Sequence, residues 1–285
     1  MELWYTEKHT ENTGITLKVV DCLFGGRTKY QDIAVLQTPE YGKVLLLDGL
    51  VMLTERDEFV YHEMISHVPL LSHPDPRRVL VIGGGDGGTV REVLKHPSIE
   101  HIDLVEIDEM VIEKCREYFP AVSQGLSSPK VTVHVTDGIE FVRNAQADYD
   151  VVIIDSSDPI GPGEGLFVES FYQNVSRVLK ENGLMVAQSE SPFLHEHIIG
   201  PMYQKLSKVF PVSAMYLAFI PTYPAGCWSF AWCSRGGITT PFQHLDTHRY
   251  EKLQPGTKYY SPQVHRSSFS LPQFIREMLP HGSSF

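Results

Sequence analysis

The chain has 285 residues, enough for one large domain or two unequal ones around a well-filled core. It carries 24 Lys+Arg against 35 Asp+Glu, a net charge of −11 that repels phosphate backbones and argues against a nucleic-acid partner. Its 42% hydrophobic and 21% charged residues are a globular mixture, without the roughly 18 consecutive apolar residues of a membrane span. Met1–Asn12 has no apolar signal segment, and Cys22, Cys115, Cys227 and Cys233 form neither a CxxC pair nor a disulfide framework. The expectation is a cytoplasmic protein that does not enter a membrane.

The first 54 residues read as a small antiparallel β domain or open barrel, with residues 55–285 as a second unit. Ile15–Val20 and Gln31–Leu36 alternate apolar with polar residues, and Lys43–Leu47 turns at Asp48-Gly49 into Leu50–Leu53. Gly25-Gly26 and Pro39–Gly42 read as turns between them. Thr54 with Asp57 three residues on resembles a capping box, opening a helix that ends before Pro74.

Beyond it the period alternates between strand and helix. Val79–Ile82, His101–Val105, Val131–Val135 and Val151–Ile154 are short apolar strands. The stretches Thr89–Lys95, Glu109–Tyr118, Ile139–Asn144 and Val168–Leu179 are helical. Leu184–Ala187 adds a strand, His195–Phe210 a helix, and Val212–Ile220 with Trp228–Cys233 a closing strand pair. Such alternation gives an α/β domain with a mostly parallel sheet covered on both faces.

Gly83-Gly84-Gly85-Asp86-Gly87-Gly88 follows the first of these strands, opens a helix, and has Glu106 at the end of the next strand. That is the GxGxxG arrangement of a dinucleotide-binding Rossmann unit. Asp86 argues against a dinucleotide, because a carboxylate in the loop would repel the pyrophosphate. A sulfonium nucleoside of the S-adenosylmethionine type removes the conflict: it lacks phosphates and carries positive charge. Glu106 then has two oxygens to hold a ribose diol. Asp137 could accept from the adenine amino group beside Gly138, or simply cap a helix. In Asp155-Ser156-Ser157-Asp158-Pro159-Ile160-Gly161-Pro162-Gly163, two carboxylates three residues apart in a proline-stiffened loop are poorly explained by packing. With Asp86 they are expected to form one acidic cluster around a cation.

Two other signals carry less. His62-Glu63 with His67 spells HExxxH, one residue too long for a zincin helix, so no metal site is expected. There is no GxSxG nucleophile elbow.

Together, Tyr61–Met64, the GGGDGG loop with Arg91-Glu92, Val105–Asp108, Asp137-Gly138, the Asp155–Gly163 loop and Ile220–Tyr223 resemble the spermidine synthases, the polyamine aminopropyltransferases. The likeness runs on through Tyr259-Tyr260 and Ser268–Leu279, and so over nearly the whole chain. It implies a Rossmann-like, methyltransferase-type domain preceded by the small antiparallel β domain. The implied reaction moves an aminopropyl group from decarboxylated S-adenosylmethionine, a co-substrate rather than a cofactor, to putrescine. Spermidine and 5′-methylthioadenosine result. The resemblance puts Gln31, Leu47, Gly83, Gly85, Glu106, Asp137, Gly138 and Pro162 on the nucleoside side. On the amine side it puts Tyr61, His62, Asp86, Asp155, Ser156, Ser157, Asp158, Gln188 and Tyr223, with Asp155 as proton acceptor. Asp158 or the surroundings of His62 would hold the far ammonium, and Trp228 could add a cation–π contact. A homodimer or homotetramer is implied. Three rivals stand beside this reading: a putrescine N-methyltransferase, an aminopropyltransferase for another amine, and a silent polyamine-binding module.

Overall fold

The structure is a computed structural model that describes residues 2–146, 148–158, 161–253 and 255–280, apart from the side chains of Gly161 and Pro162. Strands β1 (Leu3–Lys8) and β2 (Gly14–Val19) form an antiparallel hairpin. Strands β3 (Asp21–Arg27), β4 (Asp32–Thr38), β5 (Gly42–Leu47) and β6 (Leu50–Thr54) form a four-stranded antiparallel meander. Two sheets therefore replace the single sheet or barrel of the sequence reading. The period-2 pattern explains their stacking. On β5, Val44 and Leu46 join the cluster that covers the hairpin's Leu17, while Leu45 points the other way into a cluster with Val111, Cys115 and Phe119.

Gly25-Gly26 is strand rather than turn: the two pair with Ala34 and Ile33 inside β3. A Cβ at Gly26 would stand 2.8 Å from the Phe24 ring, so the glycine makes room for an aromatic lying across the strand. The capping box also fails. Helix α1 (Glu58–Ser72) starts after Asp57, whose carboxylate makes no cap. Thr54 Oγ1 donates to it at 2.6 Å and Thr222 Oγ1 at 2.8 Å, so the acid ties two segments together instead.

The rest follows the predicted alternation closely. β7 (Arg78–Gly83), α2 (Gly88–Val93), β8 (His101–Glu106), α3 (Glu109–Tyr118), α4 (Pro120–Ser123), β9 (Val131–Val135), α5 (Gly138–Asn144) and β10 (Tyr149–Asp155) come first. A 3-10 turn, Gly161–Phe167, then leads to α6 (Glu169–Val178), β11 (Leu179–Gln188), α7 (Glu196–Val209), β12 (Val212–Phe219) and β13 (Cys227–Ser234). Three short helices, α8 (Thr247–Glu251), α9 (Pro262–Ser268) and α10 (Gln273–Met278), close the described chain. The seven-stranded sheet has the order β12-β13-β11-β10-β7-β8-β9, parallel except at β13, which runs antiparallel to both neighbours.

Alternate residues of the central strands feed opposite cores. Val79, Val81, Val151 and Ile153 pack under α1, while Leu80, Ile82, Val152 and Ile154 pack against Phe171 and Val175 of α6 and Met202 of α7. Among the described residues no helix is long and apolar enough to cross a membrane.

Candidate active site

Parallel register brings the acids to one edge. Asp155 lies opposite Gly83, and Glu106 opposite Val135, just before Asp137. Ligands of open α/β sheets bind beyond these strand ends. Here a cavity of about 1000 Å³ opens there, roofed by Gln31, Leu45, Leu47 and Met52 of the N-terminal sheet.

Its floor is the glycine loop. Gly83 has φ of 79°, and a Cβ there would fall on the Asp155 carbonyl oxygen, so the two strand ends touch backbone to backbone. At Gly85 a Cβ would stand 2.8 Å from Glu106 Cγ. Glu106 is buried and accepts from the backbone N–H of Asp108 (2.9 Å) and Gly85 (3.2 Å). Burial pushes its carboxyl up to about 7 despite those donors. Gln31 Nε2 donates to Asp108 Oδ2 at 3.0 Å, fixing that amide at the rim. Asp137 is the N-cap of α5, its Oδ1 accepting from Ile139 N–H at 2.7 Å, so the capping role exists; the residue lines the cavity as well, beside Gly138. The side chain of Pro162 lies outside the described residues.

At the other end stands Asp155. Tyr61 donates to its Oδ1 at 2.8 Å and Thr89 to its Oδ2 at 2.6 Å, so the carboxylate is held at both oxygens with lone pairs to spare. Burial, then the nearby charge of Asp86, raises its pKa despite those donors and His62. A carboxyl raised in this way takes up a proton more readily than an ordinary aspartate.

The surroundings of His62 are acidic. The ring stands between Glu58, 2.5 Å from Nδ1, and Asp86, 3.3 Å from Nε2. Burial alone would strip its proton, but Asp86 and then Glu58 outweigh burial and lift the pKa to about 10. With both ring nitrogens facing carboxylates, the His62 ring has no free acceptor to offer an ammonium. Asp86 accepts from Gly88 N–H at 2.6 Å, and although burial pushes its carboxyl up, the His62 charge and that bond hold it below its usual range.

The single acidic cluster also divides in two. Asp86 and Asp155 share the large cavity, whereas Asp158 lines an adjoining one of about 380 Å³, with Tyr61, Ser156, Ser157 and Tyr223 on the shared wall. Tyr223 Oη donates to the Met52 carbonyl at 2.6 Å, so its ring rather than its hydroxyl faces the ligand space. Gln188 and Trp228 line the smaller cavity, and the Trp228 indole N–H and the Ser156 hydroxyl are buried with no partner among the described residues. Burial, then Glu190, lifts Asp158 to about 7.

Two contributors escaped sequence reasoning. Glu7, on β1, lines the smaller cavity, accepts from Val51 N–H at 3.0 Å, and is pushed by burial up to about 7. Nothing in the alternation of β1 distinguishes it from a surface acid. Thr89 follows the glycine loop directly, and a hydroxyl one residue into a helix that opens at an active-site loop was the available signal.

The HExxxH run is split three ways. His62 serves the cavity; Glu63 accepts the backbone N–H groups of Lys258, Tyr259 and Tyr260; His67 faces Glu92 (3.1 Å) and His96 (2.9 Å).

Comparison with known proteins agrees with this geometry. A family model described as "Spermine/spermidine synthase domain" matches residues 58–243, and one described as "Spermidine synthase tetramerisation domain" matches residues 3–55. The polyamine aminopropyltransferase of Caldicellulosiruptor saccharolyticus is 46% identical over 279 residues, covering 98% of this chain and 99% of that one. That of Shouchella clausii is 45% identical, covering 98% and 100%. A spermidine synthase solved in complex with the transition-state analogue AdoDATO superposes with a TM-score of 0.94 at 44% identity, covering 97% of this chain and 94% of that one. The spermidine synthase of Thermotoga maritima gives 0.91 at 42%, with the same coverage. Such agreement over nearly the full length, with the acids of the sheet edge gathered around one cavity, means that the chain belongs to the spermine/spermidine synthase family and is an aminopropyltransferase.

Proposed function

We propose that the protein transfers the aminopropyl group of decarboxylated S-adenosylmethionine to putrescine. The observation that carries this reading is a pair of adjoining cavities, one with Glu106 and Asp137 beside a glycine floor, the other lined by Glu7 and Asp158; Asp155 lines the first, and Tyr61, which donates to it, lines both. The nucleoside fills the first, with its ribose diol on Glu106. Putrescine reaches through the second and places one amine at Asp155. That amine, after passing its proton to Asp155, forms a bond to the carbon next to sulfur. The C–S bond breaks and its electron pair stays on sulfur, giving neutral 5′-methylthioadenosine. The sulfonium is already an activated leaving group, so the protein's part is positioning and proton removal. The reading requires no cofactor or metal.

Asp86 selects the donor. S-adenosylmethionine ends in a carboxylate and an ammonium, the decarboxylated donor in an ammonium alone, and a carboxylate at Asp86 favours the latter. In Asp86→Asn the ratio of kcat/KM for the two donors narrows by about tenfold or more, a tenfold change being about 1.4 kcal/mol. An unchanged ratio removes Asp86 from donor choice.

Glu7 and Asp158 take the far ammonium. A hydrogen bond to a charged group contributes about 1.5–3 kcal/mol, so Glu7→Gln raises the putrescine KM roughly 10- to 150-fold with the donor KM unchanged. Parallel loss for both substrates would place Glu7 outside the acceptor site.

Mass spectrometry of the products tests the reaction itself. Spermidine and 5′-methylthioadenosine from the decarboxylated donor support it, and N-methylputrescine made from S-adenosylmethionine overturns it. Comparing putrescine, cadaverine, agmatine and spermidine as acceptors sets the acceptor range. We assign a homotetrameric assembly through the N-terminal sheets, on the match of residues 3–55 to the tetramerisation domain. A cytoplasmic setting accords with the four free cysteines.

A further inference from the structure

A buried chain of charge runs to Asp86 from outside the substrate cavities. Both ring nitrogens of His62 face carboxylates, Glu58 Oε2 at Nδ1 and Asp86 Oδ1 at Nε2. A neutral imidazole has one N–H and cannot donate to two acceptors, so the geometry itself calls for the imidazolium. Glu58 is gripped in turn by the Arg91 fork, Nη1 to Oε1 at 2.9 Å and Nη2 to Oε2 at 2.8 Å, and Arg91 Nε reaches Glu92 Oε1 at 2.8 Å. Glu58 and Arg91 line a separate surface cleft on the far side of His62 and neither lines the substrate cavities. The ring itself has no latitude: a Cβ at Gly88 would fall on three of its atoms, and the Tyr61 ring meets it edge-on at 5.5 Å.

We infer that Glu58 and Arg91 are positioning residues for aminopropyl transfer, acting through His62, which they hold with Nε2–H aimed at Asp86 Oδ1 so that Asp86 keeps Oδ2 for the cation in the cavity. The inference rests on the transfer reading given above. Both contacts described for Asp86, from His62 and from Gly88 N–H, fall on Oδ1.

The electrostatics run the same way. The charged groups around His62 are Glu58 on its own helix, Asp86 in the glycine loop, Asp155 at the end of β10, and Arg91 on α2 behind Glu58. His62 and Arg91 hold Glu58, which burial alone would push up, at about 2. With Glu58 uncharged, His62 loses a partner and releases its proton at lower pH. Asp86 then lacks its counter-ion, and Asp155, which the His62 charge pulls down, moves up.

The test uses the full-length protein labelled with ¹⁵N. The His62 ring resonances are those missing from His62→Gln. In the wild type they remain doubly protonated at pH 8; in Glu58→Gln they titrate below pH 8; and in Arg91→Lys, which keeps the charge and loses the fork, they shift in the same direction by less. A wild-type His62 that is neutral at pH 7, or that titrates unchanged in both variants, overturns the inference. In parallel, the acid limb of the kcat/KM profile for the donor moves up by roughly one pH unit in Glu58→Gln. In the Glu58→Gln/His62→Gln double variant it moves no further than in His62→Gln alone. An equal effect of Glu58→Gln in both backgrounds shows that Glu58 acts on the fold and not through His62, and overturns the inference. If no aminopropyl transfer occurs at all, the functional reading fails, while the ring titration still decides whether the network exists. If Glu58→Gln does not fold, Arg91→Lys carries the titration.

Discussion

Replacing Asp155 by Asn lowers kcat by roughly 10²- to 10⁴-fold, the usual worth of a positioned general base. The amide fits the same space, and one of its two ends can still accept from Tyr61 or Thr89, so the cavity keeps its shape while losing the carboxylate proposed to accept the amine's proton. The loss is expected on kcat, and the KM of the donor, which the proposed reading places at the Glu106 end of the cavity, is expected to move little. A distinctive accompaniment is expected in the pH profile. The acid limb of the wild type, set by a carboxyl raised by burial and by Asp86, disappears, leaving the ionisation of the amine itself. Steady-state kinetics from pH 6 to 9 check this. A variant with near-normal kcat assigns the proton to another group, and equal losses in kcat and donor affinity assign Asp155 to binding.

Gly83→Ala is expected to be the most damaging small substitution at the sheet edge. The glycine sits at φ of 79°, where a Cβ is strained, and that Cβ would fall on the carbonyl oxygen of Asp155. Because the obstacle is backbone, no rotamer change relieves it; the ends of β7 and β10 must separate, and they are hydrogen-bonded neighbours. Strain and overpacking together cost about 2–4 kcal/mol, or a fall in Tm of roughly 5–15 °C for a chain of this size. The parting of the strands also carries Asp155 away from Tyr61 and Thr89, so activity falls even where the variant remains folded. Gly26→Ala is a useful control. It meets only the Phe24 ring, a side chain that can turn aside, and lies away from the cavities. Thermal melts with activity at 25 °C separate the two, and equal stability of both variants would refute the backbone argument.

The α/β half of the fold was legible because its information is local. The central parallel strands β7, β8 and β10 are largely apolar runs fixed by their own composition, and they end on Gly83, Glu106 and Asp155, whose place at the sheet edge follows from parallel register. Register alone thus sets Asp86, Glu106, Asp137 and Asp155 together at one edge. What escaped depends on contacts between distant segments. The pairing of β1 with β2 and the burial of Glu7 against β6 rest on the hairpin folding back over the meander, which no periodicity encodes. The charge environment of His62 escaped because it is set by Glu58 one turn earlier and by Asp86 from the glycine loop, with Arg91 33 residues beyond Glu58. The split of Asp158 from Asp155 follows from the direction of the loop after β10, and Gly25-Gly26 from a ring packed over a strand.

The hairpin gives the molecule a division of labour along the chain. On the proposed reading the acceptor end takes Glu7 from a two-stranded ribbon, tied to the meander by Tyr5 on the Gly49 carbonyl and Glu7 on the Val51 amide, and Asp158 from the loop after β10. The amine site so read is assembled from two distant stretches of the chain, whereas Asp86, Glu106 and Asp137 all belong to the α/β part. A change confined to the ribbon is then expected to alter the amine KM while the donor KM stays in place, so that acceptor preference can drift without disturbing the donor side.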